Sequence, residues 1–489
     1  GMMRVDVSTS STDLQKVLQT SSSNPSTPKS RHRPMPTATA TATSPSLSSR
    51  KVLLSLGVGK AGECGIGFDE AMTADYAVRE GVLSIQGSLE TVTAWQIPAL
   101  PLEQGRMLSL QAGEDTSLVL LQMAAPLSIL YAWGTARAEN LLGPLPAEGP
   151  ISSEDRRAHQ SRLARMIAQA ADPSLPKDCF FCVGSPSPNL ETRTMRLSEI
   201  ALGQEHVVAV NAQGNVFTWG NNSFGQLGVG DFLPRDQPTI VPLPDRQSHV
   251  AAGDFFSLSH SGRPSAVYAW GCGQQGCLGD GDDKNSNLPG KIKAFHNKVV
   301  KLLVAGAEHA AAVISQDMER PISRDLLFLW GSDAFGQLGR GSQRTGGRAV
   351  LPSFVYVPEK SAIERVSLGW AHSALVTASG QVYTCGYNHY GQLGNGNYKN
   401  SGKFAPLNLP ELVGNVACGM GHTLFLTVTG KLWGCGRSME GQLGFQSQIG
   451  RTIPIEIVGE HQNEEEPSLI VDAIAAGASH SLVAAHYAF

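Results

Sequence analysis

Apolar and polar positions along this chain come in a recurring pattern. In His206-Val-Val-Ala-Val-Asn-Ala-Gln-Gly-Asn-Val-Phe-Thr-Trp219, two short apolar runs flank a polar turn that contains Gly. Runs too short for a helix, rich in β-branched and aromatic residues and joined by a Gly turn, predict a β-hairpin. The same reading covers His372 to Cys385, where Ala378-Ser379-Gly380 is the turn, and His422 to Trp433, where Thr429-Gly430 is. Pro-bounded segments lie around the hairpins, among them Pro238-Thr-Ile-Val-Pro242 and Pro454-Ile-Glu-Ile-Val458. These suit edge strands, because Pro has no N–H to donate to a ladder. Hairpin plus flanks predicts a four-stranded antiparallel sheet.

Two motifs punctuate the pattern. Trp/Cys-Gly-x4-Gly-Gln-Leu-Gly runs from Trp219 to Gly228, Trp330 to Gly339, Cys385 to Gly394 and Cys435 to Gly444. A near copy from Trp270 to Gly279 has Cys277 in place of Gln, and worn copies sit at Leu56 to Gly65 and Trp133 to Gly143. Alternating with it is Gly-x-x-His-Ser/Thr, at Gly203 to His206, Gly306 to His309, Gly369 to His372, Gly419 to His422 and Gly477 to His480. Two further copies carry Thr116 and Phe256 where the others have His. Each motif therefore appears seven times, and the regular spacing indicates stacked repeats.

A lone four-stranded sheet leaves its apolar faces in water, so seven of them are expected to pack face to face around an axis. The expectation is an all-β fold, a seven-bladed β-propeller. Gly225, Gly336, Gly391 and Gly441 are expected at positive φ in the loop after the third strand, where a Cβ is penalised. Leu227, Leu338, Leu393 and Leu443 are expected to tuck between sheets. The chain enters the pattern on an apolar run, Lys51-Val-Leu-Leu-Ser-Leu-Gly57, and leaves it on Ala476-Gly-Ala-Ser-His480-Ser-Leu-Val483. Each lacks the partner strand the other supplies, so the last blade should be closed by residues 51–102 together with those from about 470 onward. The domain reading is a tail over 1–50, a propeller over 51–489, and an insertion over 144–196 within it.

Composition adds three points. The 53 Gly suit a turn-rich β protein, and the eight Cys without framework spacing suit free thiols in a reducing compartment. No apolar stretch is long enough for a transmembrane helix. The first fifty residues are Ser/Thr/Pro-rich, with Thr37-Ala-Thr-Ala-Thr-Ala-Thr43 as low complexity, and read as disordered. Residues 1–51 hold seven Lys/Arg against Asp6 and Asp13, a formal +5 that leaves −9 for the rest of a chain whose net charge is −4. An acidic body argues against broad nucleic-acid binding and leaves such contact to the tail. Lys29-Ser-Arg-His-Arg33 is compatible with a nuclear address, the acid-poor stretch after Asp13 with an organellar transit peptide, and both with plain solubilisation. The expected location is nucleus or cytoplasm, with organellar targeting as the alternative.

The insertion carries a capping signal at Ser152-Ser-Glu-Asp155 and places Leu163, Met166, Ile167 and Ala170 on one helical face before Asp172-Pro173. Arg162 and Arg165 decorate that predicted helix, which either covers apolar surface or binds a partner. The repeated His206, His309, His372, His422 and His480 are expected to satisfy backbone groups rather than to converge on a metal, since corresponding residues of different blades lie far beyond metal-bond lengths. Cys179-Phe-Phe-Cys182 has the spacing of half a zinc site but no companion pair, Cys385 and Cys435 read as packing residues, and Glu464-Glu-Glu466 reads as a solvated loop. No phosphate loop, nucleophile elbow, zinc-protease helix or kinase set is present in the sequence, so neither cofactor, metal nor bond-making catalysis is expected. The two rims of loops point to protein recognition.

The paired motifs resemble the repeats of the regulator of chromosome condensation family over residues 51–489 apart from the insertion. That resemblance implies the seven-bladed propeller. It also implies a protein partner, a small GTPase or a chromatin-associated protein, and it includes guanine-nucleotide exchange on a Ran-like GTPase. By the same resemblance His309, His422 and His372 are candidate partner-binding residues, with Arg162 and Arg165 added from the insertion. A family photoreceptor uses clustered Gly-Trp-x-His motifs; here Gly369-Trp-Ala-His372 stands alone, which sets that role aside.

Overall fold

The computed structural model describes residues 51–57, 82–86, 91–96, 106–113, 116–122, 128–134, 181–183 and 197–488, apart from 263–264, 316–324, 342–346, 359–360 and 459–467. The chain divides into two units, Gly1–Ser44 and Pro45–Phe489, and every described residue belongs to the second. The predicted helix of the insertion, Arg162, Arg165, Cys179 and Glu464-Glu-Glu466 lie outside the described residues.

Seven antiparallel sheets account for the described strands, and they form the blades of a propeller. Blade 1 comprises Arg106–Ala112, Thr116–Gln122, Ser128–Gly134 and Phe181–Val183; blade 2, Leu197–Leu202, His206–Asn211, Val216–Gly220 and Arg235–Ile240. Blade 3 comprises Gln247–Ala252, Phe256–Ser261, Ala266–Gly271 and Ser286–Lys291; blade 4, Val299–Ala305, His309–Ser315, Leu326–Asp333 and Gly347–Val355. Blade 5 comprises Ile363–Leu368, His372–Thr377, Val382–Gly386 and Ser401–Leu407; blade 6, Val413–Cys418, His422–Thr427, Leu432–Ser438 and Ser447–Val458. Within each blade the strands pair in chain order, so the segments holding Pro238 and Pro454 are outer edges, as Pro requires.

Blade 7 joins the two ends of the ring. Its order is Val82–Gln86, Thr91–Gln96, Lys51–Gly57, His480–Ala488, Ser468–Ala476. The ladder runs from Lys51 opposite His486 to Gly57 opposite His480. This sheet has five strands rather than the expected four, because the chain after the closing strand returns as a hairpin. The insertion, for its part, is not wholly outside the repeat: Phe181–Val183 pairs with Leu130, Tyr131 and Ala132 and supplies the outer strand of blade 1.

The second strands of blades 2 to 6 are buried along almost their whole length, and all but the blade 3 strand are apolar at their central positions, because both faces are covered. In blade 1, Leu118 and Leu120 face the core shared with blade 2, while Val119 and Leu121 face the core shared with blade 7. In blade 2, Val207 and Ala209 turn back to blade 1 and Val208 and Val210 forward to blade 3. Strand alternation thus makes one strand a member of two cores.

The loop after each third strand explains the Gly-Gln-Leu-Gly motif. Gly225, Gly336, Gly391 and Gly441 take φ of 84°, 84°, 83° and 83°, conformations in which a Cβ is strained. The Gln Oε1 accepts the N–H two residues earlier, from Phe224, Phe335, Tyr390 and Glu440. A side-chain oxygen five residues before the Leu accepts its N–H, from Asn222, Asp333, Asn388 and Ser438. The loop so fixed drives Leu227, Leu338, Leu393 and Leu443 between blades with no exposed surface.

Each innermost strand also carries a register shift at the same place, after Met107, Leu197, Gln247, Val300, Ile363, Val413 and Val471. Such bulges bend a strand and re-aim side chains. Here they accompany polar links between neighbouring blades, His249 Nδ1 to Glu199 Oε2 at 3.2 Å and Lys301 Nζ to Glu364 Oε1 at 3.3 Å.

Candidate functional site

The Gly-x-x-His turns and the Trp/Cys-Gly loops emerge at the same end of each blade, since they end the first and third strands of an antiparallel sheet. The turns surround a central cavity of about 450 Å³ whose mouth includes Gln204, Asp254, Ala307, Trp370, Met420 and Ala478. Backbone hydrogen bonds stitch turn to turn: Gln204 N–H to Asp254 O, Asp254 N–H to Ala307 O, Ala307 N–H to Gly369 O, Trp370 N–H to Gly419 O, Met420 N–H to Gly477 O and Ala478 N–H to Gly113 O, at 3.0 to 3.3 Å. A Cβ on Gly419 would lie 2.5 Å from Gly477 O and 2.4 Å from the His422 ring, so the first motif position admits Gly alone.

Below the mouth, the motif His and the hydroxyl residue that follows it serve opposite neighbours. His206 Nε2 meets Ser257 Oγ at 2.9 Å, His309 meets Ser373 at 3.0 Å, His372 meets Thr423 at 2.9 Å, His422 meets Ser481 at 2.9 Å, and His480 meets Ser117 at 2.8 Å. Four of these hydroxyls donate their own proton to a Gln carbonyl of the preceding blade: Ser257 to Gln226, Ser373 to Gln337, Thr423 to Gln392 and Ser481 to Gln442. A hydroxyl that has spent its proton accepts, so the proton of these imidazoles sits on Nε2. All five imidazoles are fully buried, and their Nδ1 atoms have no hydrogen-bond partner among the described residues. Burial drives their pKa down, to about 3 for His206, His309 and His422 and about 4 for His372 and His480. They are neutral rivets between blades.

Where a blade lacks the His, the next blade lacks the hydroxyl. Phe256 stands for His in blade 3, and Ala310 for Ser/Thr in blade 4; Thr116 stands for His in blade 1, and Val207 for Ser/Thr in blade 2. At the Phe256–Ala310 junction donor and acceptor are lost together, so neither is left without the other. The motif Trp is replaced on similar terms. Trp270 Nε1 donates to Gln226 O and Trp330 Nε1 to Cys277 O, both at 2.9 Å, while Cys385 Sγ lies 3.5 Å from Gln337 O and Cys435 Sγ 3.3 Å from Gln392 O. The thiols read from sequence as packing residues are thus fully buried and also occupy the donor position of the indole.

His309, His372 and His422, the sequence candidates for partner contact, therefore present no surface; any part they have in docking runs through the turns they hold. The described residues contain no group of three or more His, Cys, Asp or Glu placed to hold a metal.

Of the exposed side chains of this rim, only Trp370 stands out in the sequence, within Gly369-Trp-Ala-His372. Trp370 and Met420, in the turns of blades 5 and 6, are 39% and 41% exposed, and Met439 on the adjoining loop is 41% exposed. Phe335 and Tyr387 flank Trp370 with ring centroids 5.9 and 5.8 Å away, Tyr390 lies 6.1 Å from Tyr387, and the Arg437 guanidinium sits 5.5 Å over Tyr390. In blades 2 to 4 the corresponding turns carry Glu205, Asp254 and Glu308. One signal was available: the two x positions of Gly-x-x-His, which the repeat does not constrain.

Among known families, the regulator of chromosome condensation (RCC1) repeat matches residues 213–259, 265–313, 325–376, 379–426 and 429–484. Over 208 residues the chain is 34% identical to the ultraviolet-B receptor UVR8 of Arabidopsis thaliana, covering 41% of this chain and 44% of the receptor. It is 31% identical over 210 residues to the human E3 ubiquitin-protein ligase HERC2, covering 42% of this chain and 4% of the ligase. The chain thus spans less than half the length of either relative. Among solved structures, Prp20p of Saccharomyces cerevisiae, characterised for binding Gsp1p and histones, superposes with a TM-score of 0.66 at 18% identity, over 90% of this chain and 92% of that one. Human WBSCR16 superposes with a TM-score of 0.63 at 18% identity, over 89% and 99%. The chain carries no candidate membrane-spanning helix among the described residues.

Proposed function

Because this chain belongs to the regulator of chromosome condensation (RCC1) repeat family, we propose that it is a protein-docking propeller acting on a small GTPase of the Ran class. Contact at the Gly-x-x-His rim speeds release of the bound guanine nucleotide. The activity makes and breaks no covalent bond: a docking protein that binds the nucleotide-free GTPase more tightly than the loaded form shifts that equilibrium by its differential affinity alone. The observation that carries the reading is exposed Trp370 and Met420, set on turns that are stitched to one another and riveted from below, with half-buried Phe335, Tyr387 and Tyr390 on the adjoining loops. Large apolar side chains on a rigid frame are what a partner-binding hot spot requires. The place of action is the nucleus or cytoplasm.

Release of a fluorescent GDP analogue from a panel of small GTPases, the Ran class included, tests this. The expected result is acceleration with at least one member, reduced about tenfold or more by Trp370→Ala, the loss typical of a hot-spot residue. No acceleration with any member overturns the exchange reading and leaves a docking propeller without exchange activity. Arg162→Ala and Arg165→Ala test the insertion as a second contact. Deletion of the whole insertion does not, since it removes the outer strand Phe181–Val183 of blade 1.

A further inference from the structure

Two halves of the mouth differ in kind. Over blades 5 and 6 it is apolar and aromatic, with Trp370 and Met420 exposed at the cavity edge. Over blades 2 to 4 it is anionic: Asp254 lines the same cavity, and Glu205 and Glu308 occupy the next turn position. The six described turns, from 203–205 to 477–479, contain no Lys or Arg. On the loops just outside, Arg437 is already matched to Glu440 and Arg340 to Asp333, so these two cations do not reverse the sign. Glu308 is exposed, and its turn adjoins that of Trp370 through the bond from Ala307 N–H to Gly369 O at 3.2 Å.

We infer that this mouth docks a cationic protein segment, one that lays an Arg or Lys over the Trp370 face and its apolar stem against Met420 while the carboxylates of blades 2 to 4 draw in its charge. The inference rests on the reading that this rim is the partner face, and it names the chemistry of the partner element that sits there. An exposed Trp is the best aromatic partner for a guanidinium or ammonium. A concave mouth lined by one sign of charge raises the local concentration of the opposite sign and speeds encounter. Nucleic acid and anionic membrane are the wrong sign for this mouth, and the same mouth of a second copy would bring like charge to like.

The test is fluorescence anisotropy of the full chain with three labelled probes: a peptide alternating arginine and glycine, its glutamate counterpart, and single-stranded DNA. The arginine peptide should bind, weaken as salt is raised, and weaken about tenfold with Trp370→Ala and again with Glu308→Gln plus Asp254→Asn. Glu308→Gln alone, at an exposed position, should leave the melting temperature unchanged and still weaken binding. Equal binding of the glutamate peptide, or arginine-peptide binding that none of these variants alters, overturns the inference. So does a shift from dimer to monomer on Trp370→Ala in sedimentation, which would assign the aromatic half to a second copy. If the arginine peptide behaves as expected while no GTPase responds, the exchange reading alone is lost.

Discussion

At the scale of single residues, the deciding feature is that each His–hydroxyl pair spans a blade junction and is kept or lost as a unit. Ser373→Ala strands the Nε2–H of a fully buried His309, which should cost about 1–3 kcal/mol, the usual penalty for an orphaned buried donor. His309→Phe with Ser373→Ala copies the Phe256–Ala310 junction and should cost less than the sum of its singles. Urea midpoints of the two singles and the double close that cycle; strict additivity would show that the pair is not coupled. The pairing was legible in the residues themselves, since the missing His and the missing Ser/Thr fall in consecutive repeats. What hid it is direction: a motif read as one string does not reveal that its His faces the next blade and its Ser the previous one. The meeting of Trp370 with Met420 was hidden for the opposite reason, because variable positions in a repeat carry no pattern until the fold brings them to one mouth.

At the scale of elements, strands and loops were readable because their causes are local. Alternating apolar runs gave the hairpins, Pro gave the edges, and the four Gly at positive φ gave the loops. The five-stranded closing sheet and the strand Phe181–Val183 were not, because short strands distant in sequence owe their existence to an available edge rather than to their own pattern. The loop argument makes a graded prediction for blade 4. Leu338→Ala removes a fully buried side chain and should lower stability by about 2–5 kcal/mol. Gly336→Ala should also destabilise, because the new Cβ would sit 2.7 Å from the Gly402 Cα at a φ of 84°. Thermal melts of both variants check this, and a Gly336→Ala protein as stable as the parent would refute the strained-loop account.

At the scale of the whole molecule, the five neutral buried imidazoles of the motif dominate the acid sensitivity, joined by His260, whose burial lowers its pKa to about 4. Their folded pKa values, about 3 to 4, lie below the ordinary histidine value of 6.5, so the unfolded chain binds the extra protons. Stability from this source is full above the unfolded pKa and is lost as pH falls from about 6.5 toward 4. Between pH 7 and pH 5 each His should give up about 2 kcal/mol. Five together rival the 5–15 kcal/mol of a typical domain. His249 has the opposite sign, its pKa raised by the hydrogen bond to Glu199, but it is half exposed and cannot offset the set. Urea unfolding at pH 7, 6 and 5 should show a steep fall in midpoint, and a flat profile would contradict neutral buried histidines. Closure makes a separate prediction: Leu54→Asp, in the middle of the ladder opposite Val483 and fully buried in the core of blades 6 and 7, should lower the melting temperature and bind hydrophobic dye.

That ladder also has a consequence for biosynthesis. Lys51–Gly57 leaves the ribosome before any strand of blades 1 to 6, whereas His480–Ala488 emerges after all of them. Through nearly all of translation, then, an apolar strand with Leu53, Leu54 and Leu56 has Thr91–Gln96 on one edge and waits for its partner on the other. A nascent chain in that condition is a client for chaperones, and a ribosome stalled late in the message would release an open crescent rather than a smaller ring.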